Sequence, residues 1–281
     1  MSIEAGILYV VATPIGNLGD MTPRAVEVLQ KVDRIAAEDT RHSAGLMRHH
    51  AITTPMISLH EHNERQKVAA LLQRLSEGEN IALISDAGTP LISDPGYVLV
   101  HEAHRAGIRV VPIPGASALI AALSASGLPT DRFSFEGFLP AKGGPRRKLL
   151  EVLCQEQRTL AFYESPHRIL DSLTDMAEVF GEARQAVVAR ELTKTFETIR
   201  EDSLGALLGW VKGDSNQQRG EFVVLVHGSE EVDEGVDTEA CRIAGLLAEE
   251  LPLKQAAALA AKISGEKKNA LYKYLLERQQ A

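Results

Sequence analysis

Short aliphatic runs alternate with amphipathic segments along the first half of the chain. Residues 7–12, 81–85 and 109–113 are rich in Val, Ile and Leu and run into loops of Pro, Gly and Asp. Continuous rather than alternating hydrophobicity predicts strands covered on both faces, as in a parallel sheet. Residues 23–31 follow a Thr22 cap and carry proline in the first turn, which marks a helix start. Asn63 stands where it would cap a second helix, in which Val68, Leu71, Leu72 and Leu75 recur at helical spacing before Gly78. Strand–helix–strand repeats of this kind imply right-handed crossovers and an α/β sheet.

Near Gly127-Leu128-Pro129 the rhythm restarts. Residues 133–138, 160–163, 186–189, 195–201 and 221–227 read as strands. One clear helix begins at Ser165-Pro166 and runs through Ile169, Leu170, Leu173 and Met176 to Gly181. More strands per helix suggests a mixed α+β second domain. Further on, 239–250, 253–262 and 266–278 read as short helices, with Ser264-Gly265 turning between the last pair, as in a helix-turn-helix unit. The expected division is therefore 1–127, 128–229 and 230–281.

Length agrees: 281 residues, at about 150 per domain, suggest roughly two domains before the helical tail. Hydrophobic residues at 44% and charged residues at 24% are ordinary for a globular chain and exclude fibrous or wholly disordered classes. No stretch approaches the ~18 uninterrupted apolar residues of a membrane span, and residues 1–6 carry no base ahead of an apolar run, so a cytoplasmic protein without a signal peptide is expected. Cys154 and Cys241 provide neither a disulfide framework nor a zinc spacing.

Net charge is −8, from 30 Lys plus Arg against 38 Asp plus Glu. The average hides a segregation. Residues 230–239 hold six acids and no base, whereas 254–281 hold six bases against two acids. An acidic connector tying on a basic module is an organisational signal.

Five segments have a composition that points to chemistry. Ala12-Thr13-Pro14-Ile15-Gly16-Asn17, the loop Ser85-Asp86-Ala87-Gly88-Thr89-Pro90 with Asp94-Pro95-Gly96 behind it, and Pro114-Gly115-Ala116-Ser117 each follow a predicted strand. Ligands of open α/β sheets sit beyond strand carboxyl ends, so three small-residue loops there build one crevice. Asp86 is suited to a hydroxyl or cationic group; Asp94-Pro95-Gly96 by itself looks like a helix start, and Ser117 is a natural N-cap. Neither a G-x-G-x-x-G nor a P-loop is present, which disfavours nucleotide hydrolysis. The fourth segment is polar, Glu38-Asp39-Thr40-Arg41 with His60-Glu61-His62-Asn63-Glu64. Five of nine histidines fall within residues 42–62, but the pattern fits positioning or acid–base work better than a metal, and none is expected. The fifth, Lys142 to Lys148, places four bases on a Gly-Gly-Pro loop, suited to a phosphate backbone.

In this order, these motifs, continued by Tyr163-Glu164-Ser165-Pro166-His167-Arg168 and Ala189-Arg190-Glu191-Leu192-Thr193-Lys194, resemble the tetrapyrrole-methylase-like (class III) S-adenosylmethionine methyltransferases. The likeness is strongest to the branch that methylates a cytidine 2′-hydroxyl of small-subunit (16S) ribosomal RNA near the decoding centre. It implies two α/β domains with the donor cleft between them, usually in a homodimer. The donor, S-adenosylmethionine, would touch Pro14, Asp86, Ala87, Gly88, Ser117 and Ala118 from the first domain, and Tyr163, Leu192 and Gly220 from the second. Glu38 or Asp39, then His60, rank as the general base, being on crevice loops outside the donor motifs. Arg41, Lys142 and Arg146, with Lys267 and Lys268 of the basic tail, would hold RNA phosphates of the small ribosomal subunit. Two rivals stand beside this reading: a methylase of a small tetrapyrrole, and a non-catalytic RNA-binding assembly factor.

Overall fold

In the computed structural model, residues 5–60, 63–229 and 238–280 are described. His62 of the polar motif and the acids of 230–237 lie outside them. The chain forms two compact units, 1–228 and 229–281.

The first unit opens with β1 (Ile7–Val11), α1 (Pro23–Lys31), β2 (Arg34–Ala37), α2 (Thr40–His49), β3 (Met56–Ser58), α3 (Glu64–Ser76), β4 (Ile81–Ile84), α4 (Tyr97–Arg105), β5 (Arg109–Ile113) and α5 (Ala118–Ala125). Its five strands pair in the order β3-β2-β4-β1-β5, every pairing parallel. β4 is buried at all four positions. One apolar layer joins Leu29 and Ile35 to Ile84; the other joins Leu71, Leu75 and Leu99 to Ile81. Both faces are thus covered, as the aliphatic runs required.

The sequence then builds a second sheet from β6 (Phe133–Phe138), α6 (Gly143–Leu153), β7 (Thr159–Glu164), α7 (Ile169–Phe180), β8 (Gln185–Arg190), β9 (Thr198–Ser203), α8 (Leu204–Gly213) and β10 (Phe222–Val226). Its order is β6-β7-β10-β8-β9, with β6 and β7 parallel and the remaining pairs antiparallel. Phe162, Leu173, Met176, Val188 and Val224 are central to its core.

Among the helix starts that differ from expectation are those of α3 and α7. Asn63 makes no side-chain cap; its Oδ1 accepts from the His60 backbone N–H at 3.0 Å and its Nδ2 lies 2.8 Å from the ring of His60. The helix of the Ser165-Pro166 motif begins only at Ile169, after a turn in which Arg168 and Ile169 N–H donate to the Ser165 carbonyl.

The second unit contains α9 (Thr238–Glu250), α10 (Leu253–Ser264) and α11 (Lys268–Gln280), packed on small side chains, with Ala240, Ala244, Ala256, Ala257 and Ala260 against Leu271 and Leu275. Gly265 ends α10 at φ 82°, its N–H on the Ala261 carbonyl, as a left-handed C-cap does. Among the described residues no helix is long and apolar enough to cross a membrane.

Candidate active site

The first-sheet strands all point their carboxyl ends one way, and the loops leaving them are stitched together. Thr13 and Gly88 exchange backbone hydrogen bonds of 2.8 and 3.0 Å, joining the loop after β1 to the loop after β4. Gly88 sits at φ 82° and a Cβ there would meet Ile15 at 3.3 Å, so glycine both permits the turn and keeps the cleft open. The Thr89 hydroxyl donates to the Ala116 carbonyl at 3.0 Å, which brings in the loop after β5.

The end of β2 is tied to the same loop by two reciprocal contacts. The Asp39 backbone N–H donates to the Asp86 carboxylate at 3.0 Å, and the Asp86 N–H approaches the Glu38 carboxylate at 3.4 Å. The polar motif is thereby divided. Glu38 turns into the cavity, and burial there raises its pKa above the ordinary glutamate value, with Asp86 adding to the effect through its charge. The Asp39 carboxylate points away to cap α2 at the Arg41 N–H, 2.8 Å distant, and to pair with the Arg41 guanidinium. That pairing holds it well below the usual carboxylate range. A group so stabilised in its ionised form is a poor proton acceptor, and neither Asp39 nor His60 lines the cavity.

The second sheet closes the site from the other side. Phe138 ends β6, Tyr163 and Glu164 end β7, Ala189 lies near the end of β8 with Leu192 beyond it, and Glu221 leads into Phe222 and Val223 at the start of β10. The Tyr163 ring packs against Phe135 and Phe138 at 4.8 and 5.6 Å between centroids. Its hydroxyl faces the Ser117 hydroxyl and the Leu119 backbone N–H, and burial raises its pKa. Ser117 occupies the N-cap position of α5 without making the expected cap bond. Below Tyr163, buried Glu164 accepts from Ser172 Oγ and the Ser165 N–H and pairs with Arg168 at 3.0 Å. Arg168 in turn donates to the Leu139 carbonyl, anchoring the loop beyond β6.

Between the two walls lies a cavity of about 430 Å³. Of the residues expected at a donor site, Asp86, Ala87, Gly88, Ser117, Ala118, Tyr163 and Leu192 line it. Pro14 and Gly220 do not, although their neighbours Ile15 and Glu221 do. The residue that motif reading missed is Asp94. It lines the cavity instead of starting a helix; α4 begins after Gly96, and its first N–H groups at Val98 and Leu99 are satisfied by Glu64 Oε1 at 2.9 and 3.2 Å. Burial, with the charges of Glu38 and Asp86 alongside, pushes the Asp94 carboxyl up to about 6.

The basic residues fare unequally. Lys142, Arg147 and Lys148 are exposed, as are Lys267 and Lys268 on the second unit, and Arg41 is exposed although paired with Asp39. Arg146, expected on phosphate, is buried, its Nε 2.6 Å from Asp175, which is equally buried and also takes Arg147. It bolts α6 to α7 and presents no charge to solvent. Among the described residues no group of three or more His, Cys, Asp or Glu is arranged to hold a metal ion.

Residues 7–208 match the tetrapyrrole (corrin/porphyrin) methylases, and residues 234–279 match the RsmI C-terminal HTH domain. The chain is 61% identical over 279 residues to the ribosomal RNA small subunit methyltransferase I of Pseudomonas aeruginosa, covering 99% of both chains. With the protein of that name from Escherichia coli O157:H7 it shares 60% over 274 residues, 98% of this chain and 96% of the other. Its fold is similar to the uroporphyrin-III C-methyl transferase of Thermus thermophilus complexed with S-adenyl homocysteine. That match has a TM-score of 0.53 and 16% identity, covering 78% of this chain and 96% of that one. A diphthine synthase aligns with a TM-score of 0.59 at 15% identity, over 79% and 89% of the two chains.

Proposed function

The chain belongs to the tetrapyrrole methylase family, in its ribosomal RNA small subunit methyltransferase I branch, and on that footing we propose that it methylates the ribose 2′-hydroxyl of a cytidine in 16S ribosomal RNA near the decoding centre. The methyl donor is S-adenosylmethionine. The observation that carries the reading is the cleft itself, whose carboxylates and apolar walls come from both sheets in a chain that keeps this branch's sequence from end to end.

The residues present fit such a donor. Glu38, Asp86 and Asp94 aim negative charge into a partly dry cleft, which favours a cationic guest more strongly than the same charges would in water. Ile15, Leu192 and Val223 supply an apolar wall. Bound there, the donor supplies an electrophilic methyl group on a positively charged sulfur.

The protein's own task is to align a weakly acidic hydroxyl and to take its proton. Alignment by a closed, two-walled site contributes up to ~7–11 kcal/mol in well-oriented systems. A positioned base adds about 10²–10⁴-fold. Of the three bases expected from sequence, Glu38 alone lines the cavity, and burial raises its pKa above the ordinary glutamate value. Glu38 is therefore assigned as proton acceptor, and Asp94 as a second cleft carboxyl whose own ionisation is held back by burial and by the charges of Glu38 and Asp86.

Substrate RNA is held by exposed bases despite the net charge of −8, because phosphate contacts are local. Arg41, Lys142 and Lys148 serve the first unit, Lys267 and Lys268 the second. A homodimer in the cytoplasm completes the reading, as the resemblance implies. The test is transfer of labelled methyl from S-adenosylmethionine to small subunits that lack the modification. Label in 16S RNA supports the proposal; donor binding without label in RNA overturns its substrate.

A further inference from the structure

The segment that carries Leu192 into the cleft has an unusual backbone. Glu191 and Thr193, on either side of it, both have left-handed conformations, with φ 52° and 67°. Non-glycine residues adopt this region at a cost, and persist there only where surroundings hold them. What holds them is visible. The Glu191 N–H donates to the Glu221 carbonyl at 2.9 Å, and the Glu221 N–H returns to Glu191 Oε1 at 3.0 Å. Gly220, at φ 95°, leaves the space that the Glu191 side chain fills. Buried Arg190 donates to the carbonyls of Arg219 and Phe196.

Lys194 closes this arrangement. Its ammonium lies 2.9 Å from both Glu191 Oε1 and Glu221 Oε2. Burial opposes that charge, but the two carboxylates outweigh it and raise the lysine's pKa. The stem runs over the opposite wall: a Cβ at Gly16 would meet Lys194 Cγ at 2.5 Å and Cε at 2.8 Å. Gly16 adjoins Ile15, and Ile15 and Leu192 share one apolar cluster at the cavity. One side chain thus lies across the seam, its head on the β8 and β10 loops and its stem on the β1 loop.

We infer that Lys194 is a positioning residue that clasps the donor cleft, holding Leu192 and Glu221 against the Ile15-Gly16 loop and so governing how long the methyl donor stays bound. The inference rests on the donor-site reading above. Lys194 itself does not line the cavity, and it acts through residues that do.

The test is equilibrium and stopped-flow binding of S-adenosylmethionine to the full-length protein. Lys194→Met keeps most of the stem and removes the charge. It raises the donor Kd about tenfold, with the loss in the dissociation rate. Donor KM rises, while kcat at saturating donor stays within about twofold, as expected when ground-state and transition-state binding are lost equally. Gly16→Ala pushes the stem aside and weakens binding in the same way. Added to Lys194→Ala, where no stem remains, its effect shrinks to the backbone strain of an alanine at φ 157°. This cycle keeps the test decisive if the methionine variant proves unstable. Wild-type donor affinity and dissociation rate in folded Lys194→Met, or additive effects of Gly16→Ala and Lys194→Ala, overturn the clasp while leaving the donor site standing. Absence of donor binding by the wild-type protein overturns the site reading itself.

Discussion

The backbone N–H of Asp39 donates to the carboxylate of Asp86 at 3.0 Å, across 47 residues of sequence. This bond fixes the end of β2 against the loop after β4 and decides which of two adjacent acids faces the cleft. With Asp39 held by its own amide, its carboxylate is directed to Arg41 and Glu38 is left facing the cavity.

Asp86 accordingly has two separable roles. Asp86→Asn keeps an oxygen for the Asp39 N–H and removes the charge, whereas Asp86→Ala removes both. Donor affinity falls in each by isothermal titration, by about tenfold for asparagine and further for alanine, because a partly buried N–H left without its partner costs about 1 kcal/mol more. Equal losses would show that only the charge matters.

Asp94 makes the protein pH-sensitive in a direction that its environment dictates. Its carboxyl is raised from 3.8 to about 6. A raised folded-state value contributes stability that is complete below the unfolded value and lost as pH climbs through the folded one. Wild type therefore loses stability relative to Asp94→Asn as pH rises from about 4 to about 6, and the variant melts a few degrees higher at pH about 8. Donor affinity rises through the same window as Asp94 gains its charge, and that rise is absent in Asp94→Asn. Glu38→Gln lowers kcat by about 10²-fold with donor affinity changed much less. A Glu38→Gln enzyme of normal kcat removes it as the base.

The basic residues in and just before α6 separate structure from substrate binding. Arg146→Ala leaves buried Asp175 with only Arg147, and costs about 3 kcal/mol of stability by chemical denaturation. Lys142→Ala with Lys148→Ala leaves stability unchanged, weakens binding to small subunits and reduces the salt dependence of that binding. The reverse assignment would return Arg146 to the phosphate contacts.

Lys267→Glu with Lys268→Glu reverses two exposed charges at the start of α11. Subunit binding weakens while S-adenosylmethionine affinity is unchanged. Loss of donor affinity instead would mean that the tail serves the cleft.

Much of this was legible along the chain, and the exceptions share a cause. β5 and β6 span the residues that their aliphatic and aromatic composition marked, although nearly all of their side chains are only half-buried or exposed. The small-residue loops announced a crevice because they recur at strand ends. α2 was missed, since Thr40 to His49 is polar on most of its surface and buries only Ser43 and Met47. α8 was passed over, its helical signal diluted by Gly205, Gly209 and Gly213. β9 starts at Thr198, three residues later than its composition suggested, because the turn begun by the left-handed residues at 191 and 193 runs on through Glu197. Asp94 in the cleft, Arg146 on Asp175 and Ser117 facing Tyr163 all depend on contacts 8 to 56 residues apart. No local pattern encodes such contacts.

The central claim is the nature of the methylated atom. Small subunits lacking the modification should be incubated with the protein and S-adenosylmethionine, and their 16S RNA digested to nucleosides for mass spectrometry. The account predicts one new product, 2′-O-methylcytidine, formed about 10²-fold more slowly with Glu38→Gln. A methyl group on a base, or on the ribose of another nucleoside, would contradict it.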